Sequence, residues 1–100
     1  MYAQVVQGGA SLERREEMDG LVTDELIPAL QQEPGFSGAV NLVDREDGNA
    51  MMIMFWETEE QANRPLPDYG PDYLKALAHI AAISSGNRAP IKVWEVNARV

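Results

Sequence analysis

The sequence has no cysteine and a single histidine, His79, among its 100 residues. The absence of cysteine excludes disulfides, thiolate metal sites, iron–sulfur clusters and nucleophilic thiols. One histidine cannot build a multi-histidine metal centre. Gly-rich phosphate loops, nucleophile elbows and nucleotide-binding fingerprints are missing too. We therefore expect no metal and no cofactor.

Long apolar runs are also missing. The longest, residues 50–56, is far shorter than the roughly 20 residues that a membrane span needs. The first residues, Met1-Tyr2-Ala3-Gln4, lack the basic and then apolar regions of a signal peptide. We therefore expect a soluble, cytoplasmic protein that has no membrane partner.

Cationic side chains are scarce, with 8 against 16 carboxylates, and the formal net charge is -8. The cations are dispersed along the chain, so they form no basic patch that would attract a phosphate backbone. This charge balance argues against nucleic-acid partners and mainly favours solubility. The length and the 45% apolar content fit one globular domain, residues 1–100.

Turn residues divide the chain into short blocks, and each block predicts one element. Glycine, proline and asparagine cluster near residues 8–9, 34–35, 47–49, 65–71 and 86–87. Strands are predicted at residues 2–7, 36–43, 50–56 and 91–96. The order β-α-β-β-α-β predicts an α+β, ferredoxin-like fold, in which two helices cover one face of a four-stranded antiparallel sheet.

Two helices separate the predicted strands. The first begins after Ser11, an expected N-cap, and carries apolar residues at helical spacing; Pro28 is expected to kink its last turns. The second begins at the capping-box sequence Thr58-Glu59-Glu60-Gln61, is interrupted by a Pro/Gly-rich segment, and resumes at Asp72. Gly86 is expected to cap its C-terminus.

Both faces of the predicted sheet are apolar. On the third strand the alternating sets are Met51, Ile53, Phe55 and Met52, Met54, Trp56; on the second they are Phe36, Val40, Leu42 and Ala39, Asn41, Val43. Helices can cover only one of these faces. Burying a few hundred Å² of the other contributes several kcal/mol at roughly 25 cal/mol per Å². We therefore predict a homodimer that packs sheet to sheet. The alternative is local cover by strand ends or by the long loop.

Three segments carry a family resemblance: Pro34-Gly35-Phe36, residues 42–48, and Phe55-Trp56-Glu57-Thr58-Glu59-Glu60. Together with the order of elements they make the chain resemble the antibiotic biosynthesis monooxygenase (ABM) superfamily. The resemblance implies a dimeric α/β barrel with a small-molecule pocket between each sheet and its helices. It also implies one of several activities, among them cofactor-independent oxidation of aromatic polyketides and haem degradation.

The motifs of these two activities are incomplete in this chain. Trp56 matches the tryptophan that ends the third strand in the family. Polyketide oxidisers carry an asparagine four residues before it and a tyrosine six residues after it, where this chain has Met52 and Ala62. Haem-degrading members use an asparagine on the first strand, a second tryptophan and a helical histidine. Here the first strand has Gln4, no tryptophan lies in the helix that follows the third strand, and only His79 is roughly placed.

Asn41 and His79 are the candidate catalytic residues. Asn41 is polar within an apolar strand, so it could hold a carbonyl or enolate oxygen; alternatively it bonds across the dimer or lies near a bulge. His79 lies on the second helix and could take or give a proton, or it could be a half-exposed structural residue.

The candidate substrate-binding residues are aromatic or apolar: Trp56, Tyr69, Tyr73, Met52 and Met54. Trp56 either stacks on a planar ligand or is a core aromatic with its N–H satisfied. The tyrosines frame the end of the Pro/Gly-rich segment, which forms a lid or an ordinary surface loop. The methionines line an adaptable cavity or simply fill the core.

The leading hypothesis is a homodimeric, cofactor-independent monooxygenase, or a related oxidoreductase or isomerase. Its substrate would be an apolar, aromatic small molecule that itself supplies the electrons to oxygen. The second hypothesis is a non-catalytic, small-molecule-binding or interaction dimer of the same fold, favoured by Met52 and Ala62. Haem degradation is the third.

Overall fold

The fold is a four-stranded antiparallel sheet, as the computed structural model describes it for residues 1–85 and 90–100. Its strands are β1 (Tyr2–Gly9), β2 (Phe36–Val43), β3 (Asn49–Trp56) and β4 (Lys92–Glu95). They lie in the order β2-β3-β1-β4. This arrangement confirms the predicted ferredoxin-like fold. The expected cap at Gly86 lies outside the described residues.

The helical layer comes from two stretches of chain. The first contains a 3₁₀ turn (Leu12–Arg14), α1 (Arg15–Leu21), a π turn (Val22–Leu26) and α2 (Ile27–Leu30). The second contains α3 (Glu59–Ala62), a 3₁₀ turn (Leu66–Asp68) and α4 (Pro71–Ile83). Within the described ranges, no helix combines the length and the apolar character that crossing a membrane requires.

The helix starts and stops follow local chemistry. Thr58 forms the predicted capping box: its hydroxyl accepts from the Gln61 N–H at 3.2 Å, and the Gln61 side chain accepts from the Thr58 N–H at 3.1 Å. Ser11 precedes the first 3₁₀ turn, but the expected capping bond from its side chain does not form. Pro28 has no N–H to donate, and the helix before it widens into the π turn, where the Ile27 N–H bonds to the Val22 carbonyl.

A β-bulge in β2 corrects one face assignment. Phe36 pairs with Trp56, and Gly38 pairs with Phe55, the neighbour of Trp56 on β3. Ser37 is therefore an extra residue in β2. Gly38 has φ +127, which a side chain would disfavour. The bulge turns Phe36 to the helix-facing side, whereas strict alternation placed it with Val40 and Leu42.

The two faces of the sheet differ in their cover. Met52, Met54 and Trp56 of β3 are buried beneath the helices in the hydrophobic core. On the opposite face, three apolar side chains are close to half exposed: Val40 at 43%, Leu42 at 48% and Trp94 at 49%. The sheet is therefore apolar on both sides, as the sequence predicts, and the helices cover one side.

We predict that Gly48→Ala destabilises the fold by about 1–3 kcal/mol, because φ is +80 and a Cβ would lie 2.2 Å from the Ala10 carbonyl oxygen. Gly8→Ala is the matched control, since no heavy atom lies within 4 Å of its Cβ position. Urea unfolding of both variants measures the difference. Equal losses of stability would contradict the assigned turn geometry.

Candidate active site

A cavity of about 660 Å³ lies between the helix-facing side of the sheet and the helices α1 and α4. Its walls are mainly apolar, and they include Val6, Met52 and Met54 from the sheet. Leu26 and Leu77 contribute from the helical side. The size and the apolar lining are typical of a pocket for a drug-sized organic molecule.

Aromatic rings pack at one end of the cavity. Tyr69 and Tyr73 stack with their ring centroids 4.3 Å apart, and Tyr69 meets Trp56 edge to face at 6.1 Å. Phe36 meets the other side of Trp56 edge to face at 5.7 Å. The bulge that turns Phe36 inward therefore completes the aromatic cluster.

A buried ion pair fixes the loop that carries Tyr69. The Arg64 guanidinium donates to Glu33 at 2.9 Å and lies over the rings of Trp56 and Tyr69, at 5.2 and 4.9 Å from their centroids. The second oxygen of Glu33 accepts from the Gly70 N–H at 2.7 Å. Glu33 therefore holds Arg64 and the residue that follows Tyr69 with one carboxylate.

Trp56 is fully buried, and its indole N–H donates to Gln4 Oε1 at 3.1 Å. Gln4 is buried as well and lines the cavity, whereas Trp56 does not. The indole is therefore a core group that orients the Gln4 side chain against the cavity. This geometry matches the interpretation of Trp56 as a core aromatic whose N–H is satisfied.

The Tyr69 hydroxyl is buried and has no hydrogen-bond partner among residues 1–85 and 90–100. Burial raises the pKa of Tyr69, against the opposing effects of the Arg64 cation and the Gln4 carboxamide. Burial also raises the pKa of Tyr73. Both hydroxyls therefore stay protonated at neutral pH, and that of Tyr69 is an uncommitted donor at the aromatic end of the cavity.

The opposite end of the cavity, near the β2–β3 turn, contains a buried cation. Arg15 donates through Nε to Asp19 at 3.0 Å and through Nη1 to the Gly48 carbonyl at 3.1 Å. Asp19 also accepts from Arg45 at 2.5 Å. The hydrogen bond from Arg45, assisted by Arg15, lowers the pKa of Asp19 despite partial desolvation.

Five of the seven site residues predicted from the sequence line this cavity: Asn41, Met52, Met54, Tyr69 and Tyr73. Asn41 lies on the helix-facing side of β2, and its Nδ2 donates to the Met51 carbonyl at 3.2 Å. This bond commits one of the two amide hydrogens. The other hydrogen and the carboxamide oxygen are left available to a ligand.

His79 lies outside the cavity lining, on the exposed side of α4. Its Nδ1 lies 2.6 Å from Glu25 Oε1, a carboxylate that comes from the π turn. This partner is 54 residues away in sequence. The catalytic role of His79 stays a prediction from the sequence, and its position gives it no contact with the cavity.

The polar residues that line the cavity but are not among the predicted site residues include Gln4, Arg15 and Arg64. Two of them leave a signal in the sequence. Gln4 alternates in phase with Tyr2 and Val6 on the helix-facing side of β1, and Arg15 precedes the buried Met18 by three residues. A polar residue at a position whose spacing places it on the buried face of a strand or helix indicates either a core group with satisfied hydrogen bonds or a contact to a ligand. Arg64 offers no such pattern.

The described residues contain no group of three or more His, Asp or Glu side chains that could hold a metal ion. Haem also fits poorly, because the histidine that the resemblance implies for it lies outside the cavity and pairs with Glu25.

Solved structures with this fold cover nearly the whole chain. A Nitrosomonas europaea protein described as a candidate antibiotic biosynthesis monooxygenase matches with a TM-score of 0.77 and 15% identity, over 98% of this chain and all of its own. SnoaB, a cofactor-independent oxygenase from Streptomyces nogalater, matches with a TM-score of 0.73 and 16% identity, over 99% of this chain and 96% of its own. The chain has the fold of the antibiotic biosynthesis monooxygenases.

The ABM resemblance stated from the sequence is thus confirmed at the level of the fold. Another ABM candidate, from Deinococcus radiodurans, is 17% identical with a TM-score of 0.74, over the whole of this chain and 96% of its own. No family model and no curated protein matches the sequence. Identities this low leave the chemistry to be argued from the cavity itself.

We predict that Gln4→Leu destabilises the protein by about 1–3 kcal/mol, because the buried indole N–H of Trp56 loses its acceptor. In a Trp56→Phe background the same substitution should cost clearly less, since no N–H is left unpaired. Urea unfolding of the four proteins gives the coupling energy. A coupling near zero would show that the bond contributes nothing to stability.

Proposed function

We propose that the protein is a cofactor-independent monooxygenase for an apolar, aromatic small molecule bound in the cavity between sheet and helices. The observation that carries this proposal is the cavity itself, about 660 Å³ of mainly apolar wall with a few uncommitted polar groups. Met52 and Met54 provide adaptable contacts for a flat ring system. Tyr69 and Asn41 provide donors that orient its oxygen atoms.

The chemistry follows from what the cavity offers. Its described lining contains no carboxylate or histidine side chain that could act as a strong base. The substrate therefore has to ionise readily, as phenols and anthrones do. The ionised ring gives electrons to O₂: one oxygen atom enters a ring C=O, and the other leaves as water with the two hydrogens of the oxidised carbon.

The protein lowers the barrier by holding the anion in a water-poor site. The Tyr69 hydroxyl and the free Asn41 amide hydrogen each donate to an oxygen atom of the ionised ring system and stabilise its negative charge. The raised pKa of Tyr69 keeps this hydroxyl a donor while the ligand carries the charge. The Arg64–Glu33 pair keeps Tyr69 in place.

We also propose that two copies pack through the outer faces of their sheets. Val40, Leu42 and Trp94 are exposed there, and Ile53 and Phe55 lie between them on β3. Arg99 covers Phe55 only in part, with its guanidinium carbon 4.2 Å from the ring centroid. Such a face is more apolar than monomers usually expose.

A second candidate function is binding without catalysis. Met52 and Ala62 occupy the positions where polyketide oxidisers of the family carry an asparagine and a tyrosine, and both are buried and apolar. Ligands that raise the melting temperature without any product would favour this alternative. Haem degradation is the weakest candidate, and a haem titration without a Soret change would remove it. The cytoplasmic location stays a prediction.

We predict that the purified protein consumes O₂ with anthrone and forms anthraquinone. Asn41→Ala and Tyr69→Phe should each lower kcat by roughly 10- to 100-fold, because each removes a donor to the developing anion. An oxygen electrode and chromatography measure the reaction. Thr23→Ala, at an exposed position away from the cavity, is the control. Equal rates in all four proteins would exclude this role for the two donors.

We predict a dimer in light scattering at micromolar concentration. The double variant Val40→Lys and Leu42→Lys should be monomeric, because two cations cannot be buried between apolar sheets without a large desolvation cost. Thr23→Lys with Gln32→Lys adds the same charge at two exposed positions off the sheet and should stay dimeric. A monomeric wild-type protein would refute the proposed interface.

A further inference from the structure

Arg15 is a buried cation with unused hydrogen-bonding capacity. Its side chain is 7% exposed, and its Nε and Nη1 are committed to Asp19 and Gly48. Its Nη2 is buried without a partner among residues 1–85 and 90–100. A buried donor on a charged group is costly to leave unpaired, so this arrangement favours an acceptor that binds there.

The charges around Arg15 do not balance. Arg15 and Arg45 share one carboxylate, that of Asp19. The exposed Arg45 is well hydrated, whereas Arg15 lines the cavity and is shielded from water. One negative charge on a ligand would neutralise this cluster. A dianion such as phosphate would bring two negative charges to a cluster with one excess positive charge, and more acceptor oxygens than the one nitrogen without a partner could satisfy.

The place of Arg15 also defines the shape of the ligand. Arg15 contacts Gly48 beside the first residue of β3, and the Tyr69 hydroxyl lies beside Gln4, which pairs with Met54. Five residues of strand separate the two ends, roughly 16 Å at the usual rise per residue. An occupant that reaches both ends is elongated, with apolar rings between two polar termini.

Because Nη2 is buried, a ligand reaches it only if the cavity wall beside it moves. Met18 lies one helical turn after Arg15 on the same face of α1, and it also lines the cavity. Its unbranched side chain has several rotamers of similar energy, so it can move aside at little cost. A ligand oxygen can then replace the contacts that now cover the guanidinium.

We propose that Arg15 binds a carboxylate of the ligand, so that the cavity takes a polycyclic aromatic monocarboxylic acid with its acid group at the β2–β3 turn. This inference rests on the proposed function, from which it takes the aromatic body of the ligand. The new element is the acid group on that ligand. A carboxylate supplies the single charge and the acceptor oxygens that Nη2 lacks. Arg15 acts here as a specificity residue.

The test compares anthraquinone-2-carboxylate with anthraquinone-2-carboxamide, which has the same rings and no charge. Quenching of tryptophan fluorescence at neutral pH gives both dissociation constants. We expect the carboxylate to bind wild-type protein roughly 10- to 100-fold more tightly, the range for a hydrogen bond to a charged group. Arg15→Gln should reduce this ratio to near one while leaving carboxamide binding within about threefold.

Arg14→Gln is the matched control, because it removes a neighbouring exposed cation that pairs with Glu17, lies outside the cavity lining and takes no part in the Asp19 cluster, so it should keep the ratio. If Arg15→Gln does not fold, Arg15→Lys retains the charge, loses the guanidinium geometry and should lower the ratio severalfold. A ratio near one in the wild type, or one unchanged in the Arg15 variants, would overturn the proposal.

The two proposals fail in different ways. Equal binding of both compounds would contradict the carboxylate site at Arg15 and would leave the proposal of an apolar ligand cavity intact. A strong carboxylate preference without oxygen consumption supports the site and removes the monooxygenase activity. Binding of neither compound counts against both proposals.

Discussion

The apolar character of both faces of β3 is the constraint on which the structure depends. Met52, Met54 and Trp56 pack beneath the helical layer on one side, and Ile53 and Phe55 lie on the apolar face opposite. Because side chains alternate along a strand, no shift of register could relieve one face without exposing the other. The same strand therefore positions the cavity and the proposed dimer interface back to back.

An open cavity in a 100-residue domain needs rigid walls, because a small core gains by collapsing onto empty space. Here the walls are held by polar contacts as well as by packing. The Arg64–Glu33 pair fixes the loop at one end, and the Arg15–Gly48 contact joins α1 to the β2–β3 turn at the other. These two long-range contacts fix the segments that border the two ends of the cavity.

The sequence predicts the element order, the limits of all four strands to within two residues, and the capping box at Thr58. The predicted face of Phe36 is wrong, because the bulge adds one residue to β2 and reverses the alternation of side chains before it. The pattern of apolar residues does not reveal the positive φ of Gly38 that accompanies the bulge. Five cavity residues follow from the sequence because they lie in regular elements or beside a recognisable loop. Arg64 and the His79–Glu25 pair depend on distant contacts, which local pattern cannot supply.

The distribution of charge resolves an apparent conflict between an acidic protein and the anionic ligand that we propose. A net charge of -8 disfavours anions at the surface, and that charge is largely solvated and screened. Inside the cavity the described ionic groups are Arg15 and Arg64, and only Arg64 has a carboxylate to itself. Because interactions strengthen as water is excluded, the local excess at Arg15 outweighs the distant surface charge once a ligand has entered. On this proposal, the acidic exterior slows the entry of anions in general, and the buried guanidinium selects those whose apolar body fits the cavity.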